Sequence, residues 1–252
     1  MPTSAAPPPL LSLDHASRSL SGRLIVADLG LQLQRGEVLG LLGVNGAGKS
    51  TTLRMLAGML APSSGQVRLM GHDLYAEPGR ARRDIGYLAE EPPLHGELTV
   101  TEYLVFCARL HGLRGSALTA AVERAIERCD LGAMRRRLAS LLSKGYRQRL
   151  GIAQAIVHEP ALIVLDEPAS GLDPVQAVRL RELIAGLRSN HAVVLSTHLL
   201  SDVLACCDRV AILHRGRLRY SGALQGLQAG SALRVTLSRP CGPEDLEALT
   251  CV

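Results

Sequence analysis

The chain has 252 residues, 47% of them hydrophobic and 20% charged, which suits a folded α/β core and excludes a disordered or fibrous protein. A formal charge of +5 would tolerate an anionic partner, yet aromatic residues total 2% and Trp is absent, so the stacking platforms of single-strand nucleic-acid binders are missing. No apolar run approaches about 18 residues and the amino terminus has no basic, then apolar, export signal, so the chain is expected neither to span nor to cross a membrane by itself.

Residues 1–10, with Pro7-Pro8-Pro9, read as a disordered leader because proline cannot donate ladder hydrogen bonds. From Leu11 to Gln34, alternating apolar positions such as Leu29, Leu31 and Leu33 predict antiparallel strands turning at Ser21-Gly22, and Gly65–Leu69 is expected to join them. Glu37–Leu42 is a short apolar run of the kind that forms a buried parallel strand. Leu53, Leu56, Ala57 and Leu60 then mark one face of a helix beginning near Lys49. Between about 90 and 157 the pattern is helical: Thr99 and Glu102 can form a capping box, and Ala121, Val122, Ala125, Ile126 and Cys129 make an amphipathic stripe.

After this helical subdomain, Ala161–Leu165 and Ala192–Leu195 are buried strands separated by a helix that starts at Pro174 and is capped by Asp173. A hairpin is predicted at Arg215-Gly216. Residues 221–252 read as an accessory tail, with strand-like alternation at Leu233, Val235 and Leu237 and a helix over Gly242–Leu249. The six cysteines, 107, 129, 206, 207, 241 and 251, lack C-x-x-C or metal-ligand spacing and are expected to be reduced thiols in a reducing cytosol. Arg80, Arg82, Arg83 and Arg135-Arg136-Arg137 read as solvated basic faces.

The chemistry centres on Gly43-Val44-Asn45-Gly46-Ala47-Gly48-Lys49-Ser50-Thr51, which fits the phosphate-binding pattern G-x-x-x-x-G-K-[ST] between a strand and a helix. Glycines at 43, 46 and 48 let the backbone aim N–H groups at phosphate oxygens near the positive end of a helix dipole. Lys49 is expected on the β- and γ-phosphates and Ser50 on Mg²⁺. Asp166-Glu167 ends an apolar strand, placing one carboxylate to hold the metal and a second to polarise water. The expected fold is therefore α/β: a P-loop NTPase with a mainly parallel core sheet, an antiparallel β subdomain and an inserted helical subdomain.

Together with Leu142-Ser143-Lys144-Gly145-Tyr146-Arg147-Gln148-Arg149, these motifs make residues 11–220 resemble the ATPase domain of ATP-binding-cassette (ABC) transporters. Ser170-Gly171-Leu172-Asp173 matches that family's D-loop and Ser196-Thr197-His198 its switch histidine, all in the family's order. The resemblance implies ATP and Mg²⁺ as cofactors, with Ser50, Glu90 and Asp166 at the metal and Glu167 and His198 as the catalytic pair. It implies a homodimer meeting head to tail, so that Ser143 and Gly145 complete the nucleotide site of the other copy, and it counts Asp173 among the nucleotide-binding residues. It further implies a separate transmembrane permease subunit, a peripheral position on the cytoplasmic face of the inner (plasma) membrane, and no nucleic-acid partner.

Three positions depart from the commonest family form. Lys144 replaces a glycine and Tyr146 a glutamine, a variant similar to ATPases of type-2 (ABC-2) exporters, including the gliding-motility and copper-assembly branches. Glu90 stands where the lid loop usually ends in glutamine; a carboxylate still ligates Mg²⁺ but loses the amide donor. Leu20 aligns with the aromatic that stacks on adenine, so base selectivity is expected to weaken and GTP to compete. The leading expectation is a transport-coupled ATPase of an exporter. The alternatives are a soluble cassette ATPase of repair or translation and an ATP-gated module with little turnover.

Overall fold

The computed structural model describes residues 8–76, 79 and 82–224. Strands β1 (Leu11–Leu20), β2 (Arg23–Leu33), β4 (Ser64–Leu69) and β5 (His72–Asp73) form an antiparallel sheet in the order β2-β1-β4-β5. A second sheet runs β10-β9-β3-β8-β7-β6, built from β3 (Val38–Leu42), β6 (Ile85–Leu88), β7 (Leu162–Leu165), β8 (Ala192–Thr197), β9 (Arg209–His214) and β10 (Arg217–Ala223). Its pairs are parallel except β9 with β10, which are joined by the tight turn at Arg215-Gly216.

The apolar runs in β3, β7 and β8 exist because this sheet is covered on both faces. Side chains alternate between the two covers. Leu39, Leu41, Leu162 and Val164 point into a core shared with helix α1 (Lys49–Leu56) and the antiparallel sheet, where Leu53, Met55 and Leu56 of α1 are buried. Val38, Ile163, Leu165, Val193 and Leu195 point the other way, into a core shared with the remaining helices.

On that side lie α2 (Val100–Leu110), α3 (Gly115–Arg128), α4 (Lys144–Ile156) and α5 (Pro174–Leu187), with α6 (Leu200–Cys206) between β8 and β9. The capping box at α2 is complete: Thr99 N–H donates to Glu102 at 2.8 Å and Glu102 N–H donates to Thr99 Oγ1 at 3.3 Å. The α3 stripe of Ala121, Val122, Ala125 and Ile126 is buried together with Cys129. Each large aliphatic side chain placed there contributes roughly 1.5–3 kcal/mol. Helix α5 starts as expected, with Pro174 in its first turn and the Asp173 side chain accepting from Gln176 N–H at 2.9 Å.

Two boundaries differ from expectation. Leu10 is not part of the leader: it is buried, its N–H donates to Leu33 O at 2.9 Å and its carbonyl accepts from Met70 N–H at 2.6 Å, because an apolar residue beside β1 has a core to enter. The sheet also runs past residue 220, since β10 extends to Ala223 and Leu224 packs on Val203 and Val210. The remaining tail, with its expected strand and helix, Cys241 and Cys251, lies outside the described residues, as do residues 1–7 and Arg80. The described cysteines, 107, 129, 206 and 207, are free thiols. Among the described residues no helix is long and apolar enough to cross a membrane.

Candidate nucleotide site

The loop from β3 to α1 turns at Gly48, whose φ of 103° is open to glycine and strained for other residues. Helix α1 has neither a side-chain cap nor an acid in its first turn, so its first N–H groups and the positive end of its dipole are directed at the loop's concavity. The loop is braced from behind by the β9–β10 turn. Gly216 N–H donates to Ala47 O at 2.9 Å and Gly216 O accepts from Ala27 N–H at 2.8 Å. The fit is tight enough that a Cβ on Gly216 would collide with Ile25 O.

Lys49 is buried, and its ammonium is shared between Gly43 O at 2.6 Å and Glu167 Oε1 at 3.1 Å. Ser50 Oγ donates to Asp166 Oδ1 at 3.3 Å. Ser196, at the end of β8, joins the two acidic residues: its hydroxyl donates to Asp166 Oδ1 at 2.7 Å and accepts from Glu167 N–H at 2.8 Å. Glu167 has φ of 44°, a left-handed conformation held by these contacts at a cost of order 1–3 kcal/mol. Its other oxygen lies 2.9 Å from His198 Nδ1. A tautomer with Nδ1–H donating to Glu167 leaves Nε2 as the second hydrogen-bonding atom of a half-exposed ring.

Lys49, Ser50, Glu167 and His198 line a cleft of about 290 Å³ formed by Val44–Thr51 with Ile25, Glu90, Glu167, Ser170 and His198, and Asp166 and Ser196 are buried behind it. Glu90 sits on the loop leaving β6, and Gln148 of α4 fixes that loop by donating from Nε2 to Glu90 O at 3.0 Å. Tyr87, on the strand before it, has its phenol pKa pushed up, chiefly by burial and then by the nearby Asp166 carboxylate. The oxygen set of Ser50, Asp166 and Glu90 has the hard-donor character that Mg²⁺ takes. Among the described residues no cluster of three or more His, Cys, Asp or Glu could hold a metal, so a magnesium ion here would need phosphate oxygens and water to complete its shell.

Four residues singled out from the sequence lie apart from this cleft. Ser143 is exposed at the N-cap of α4, where its hydroxyl accepts from Tyr146 N–H at 3.5 Å. Gly145 is buried beneath Gln176, and Asp173 is occupied as the cap of α5. Leu20 ends β1 opposite Arg23 and does not line the cleft, where Ile25 on β2 supplies an aliphatic side chain beside those of the loop itself. Ser196, Ser170, Ile25 and Gly216 received no role from the sequence. Three of them carried a signal: Ser196 is two before His198, Ser170 opens the D-loop match and Gly216 lies in the predicted hairpin turn.

Residues 26–170 match the family described as ABC transporter. The chain is 40% identical over 200 residues to the probable multidrug ABC transporter ATP-binding protein YbhF of Escherichia coli (strain K12), covering 79% of this chain and 35% of the relative, so it spans about a third of that protein. It is 38% identical over 204 residues to the ABC transporter ATP-binding protein NatA of Bacillus subtilis (strain 168), covering 80% of this chain and 83% of that one. Among solved structures, cbiO1 from Clostridium perfringens, described as part of the ABC transporter complex cbiONQ, superposes with a TM-score of 0.81 at 26% identity, covering 88% of this chain and 91% of the other. With the phosphate loop, the paired carboxylates and the switch histidine gathered at one cleft, the chain belongs to the ABC transporter family as an ATP-binding domain.

Proposed function

We propose that this chain is the ATP-hydrolysing subunit of a membrane exporter and works as a head-to-tail pair of copies. The observation that carries the reading is the continuous set in which Lys49, Glu167, His198 and Ser50 line one cleft and are backed by the buried Asp166 and Ser196, with Ser143 and Gly145 outside that cleft. One chain thus supplies the cradle, the acids and the histidine, while the signature segment serves the nucleotide of the second chain.

In this reading the loop N–H groups and Lys49 bind the phosphates, the γ-phosphate competing with Glu167 for the Lys49 ammonium. Released from that pairing, Glu167 accepts the proton of the attacking water, and His198, held by the same carboxylate, donates to the γ-phosphate. Ser50, Asp166 and Glu90 would hold Mg²⁺, which supplies charge neutralisation across the phosphate oxygens. Ser143 and the Gly145 N–H, at the start of α4 in the second copy, close on the same phosphate. Ile25, in place of the expected Leu20, offers the base aliphatic contact only, so GTP competes with ATP.

The surface between the helical subdomain and the Glu90 loop, where the half-exposed Phe106 of α2 meets His95 edge-on, would receive the transmembrane permease subunit and keep the chain peripheral at the cytoplasmic face of the membrane. The transport names of its relatives support this assignment over soluble repair or translation ATPases. The test is Glu167→Gln: the variant should retain ATP and lower phosphate release by roughly 10²–10⁴-fold. Wild-type turnover in the purified variant would overturn the assignment of the base. ATP retention without phosphate release by the wild-type dimer would favour an ATP-gated module instead.

A further inference from the structure

Lys144, the residue that replaces a glycine in the signature segment, lies in an interlock with the loop that follows Glu167. It is the first residue of α4, and its side chain reaches across to that loop, so that a Cβ built on Gly171 would collide with the Lys144 ammonium. The contact is reciprocated: Gln176, in the first turn of α5, lays its carboxamide over Gly145, where a Cβ would collide with Oε1. Gln176 is anchored in that place by the bond from its N–H to Asp173. Each segment therefore covers a glycine of the other with a long side chain.

The other end of the same loop is in the nucleotide cleft. Ser170, adjacent to Gly171, lines the cleft, and its N–H donates to Glu167 O at 3.0 Å. Five residues, Glu167 to Gly171, thus run from the carboxylate beside Lys49 to the underside of Lys144. We infer that Lys144 and Gln176 make the signature segment and this loop move as one body, so that engagement of Ser143 and Gly145 with the second copy's nucleotide sets the position of Glu167 at the chain's own nucleotide. Lys144 is a positioning residue: it acts through Gly171 and does not touch ATP. A glycine at position 144 has no side chain to make this contact. The inference rests on the head-to-tail reading above.

The experiment measures phosphate release by the full chain against MgATP concentration, alongside binding of a non-hydrolysable ATP analogue and thermal melting. Lys144→Ala should lower kcat by about 5–100-fold and bring the Hill coefficient from about 2 towards about 1, with analogue affinity and melting temperature unchanged. Lys144→Arg should restore both quantities. Gln176→Ala should give the same phenotype, and the double variant should lose less than the product of the single losses, because both act on one interlock. Wild-type turnover and cooperativity in Lys144→Ala, or strictly multiplicative losses, would overturn the inference. Size-exclusion chromatography of Glu167→Gln with MgATP separates the two levels: failure to dimerise removes the head-to-tail reading, whereas a normal dimer combined with an indifferent Lys144→Ala removes the interlock alone.

Discussion

Helix α1 begins at Lys49 with no side-chain cap and with its first residue buried between Gly43 O and Glu167, whereas α4 begins beneath the Ser143 hydroxyl with its first residue, Lys144, exposed. Both ends concentrate backbone N–H groups and the positive end of a dipole, so either can favour an anion. They differ in what surrounds them. At α1 the acids, the histidine and a bracing turn converge from β7, β8 and the β9–β10 hairpin, and the Lys49 charge is already paired with Glu167 inside the chain. At α4 the surroundings are Gly171 of the loop after Glu167 and Gln176 in the first turn of α5. The lesson is that a helix end becomes an anion site through the groups aimed at it, and only one of these ends has them in its own chain.

That contrast can be broken experimentally. Lys49→Ala should have the largest effect on binding, lowering ATP affinity by about 10²-fold or more, because charge-assisted hydrogen bonds to phosphate contribute ~1.5–3 kcal/mol each. Calorimetric titration measures it, and unchanged affinity would place the phosphates elsewhere. Glu167→Gln should move binding in the opposite direction, since it removes the carboxylate that competes for the Lys49 ammonium at 3.1 Å. The same titration should show tighter ATP binding, and weaker binding would refute the competition.

Ser143→Ala should spare ATP binding by the single chain and lower turnover of the pair by roughly 10-fold or more, as loss of one donor to a transition-state oxygen does. Its effect on folding should be small. The cap bond is 3.5 Å long, so the loss should lie at the low end of the cap range, about 0.5 kcal/mol. Equal losses in binding and turnover would make α4 a second cradle of its own chain.

The smallest effect concerns the junction just beyond α4. His158 stacks on His111 with centroids 3.5 Å apart and planes at 4°, and its Nε2 lies 3.2 Å from Ile85 O. Burial first, then the His111 ring, holds its pKa down to about 4, with the Ile85 carbonyl opposing. In the unfolded chain it takes a proton near pH 6.5 and in the folded chain only near 4, so stability is full above about 6.5 and falls as pH drops towards 4. From pH 7 to pH 5 the loss from this group is at most about 2 kcal/mol. Urea unfolding at the two pH values should show it, and His158→Phe should remove most of it; an identical slope in the variant would assign the acid sensitivity to other groups.

The parts of the molecule legible in the sequence are those whose physics is local. The strand–loop–helix order around Gly43–Thr51, the capping box at Thr99 and Glu102, the Asp173 cap and the apolar strands read correctly because each is specified within a few neighbouring residues. Leu10 was misplaced because a residue's burial depends on partners such as Leu33 and Met70, far along the chain. The same limit hid Ser196 as the link between Asp166 and Glu167, and Ile25 as the aliphatic wall that Leu20 does not provide. Lys144 read as a mark of subtype; its place over Gly171 depends on how α4 and α5 pack, which no spacing encodes.

The turn at Arg215-Gly216 gives the chain a particular assembly history. All nine residues of the phosphate loop have been synthesised by Thr51, but the strands flanking β3 are β8 and β9, and the Ala47 carbonyl finds its donor only at Gly216. On a ribosome the loop is therefore an unbraced ribbon until the β9–β10 turn has been made, and nucleotide competence waits for that turn. Such long-range closure is slow, leaving β3 without its neighbours during synthesis. A nascent chain halted before the β9–β10 hairpin should carry the whole motif and retain little ATP.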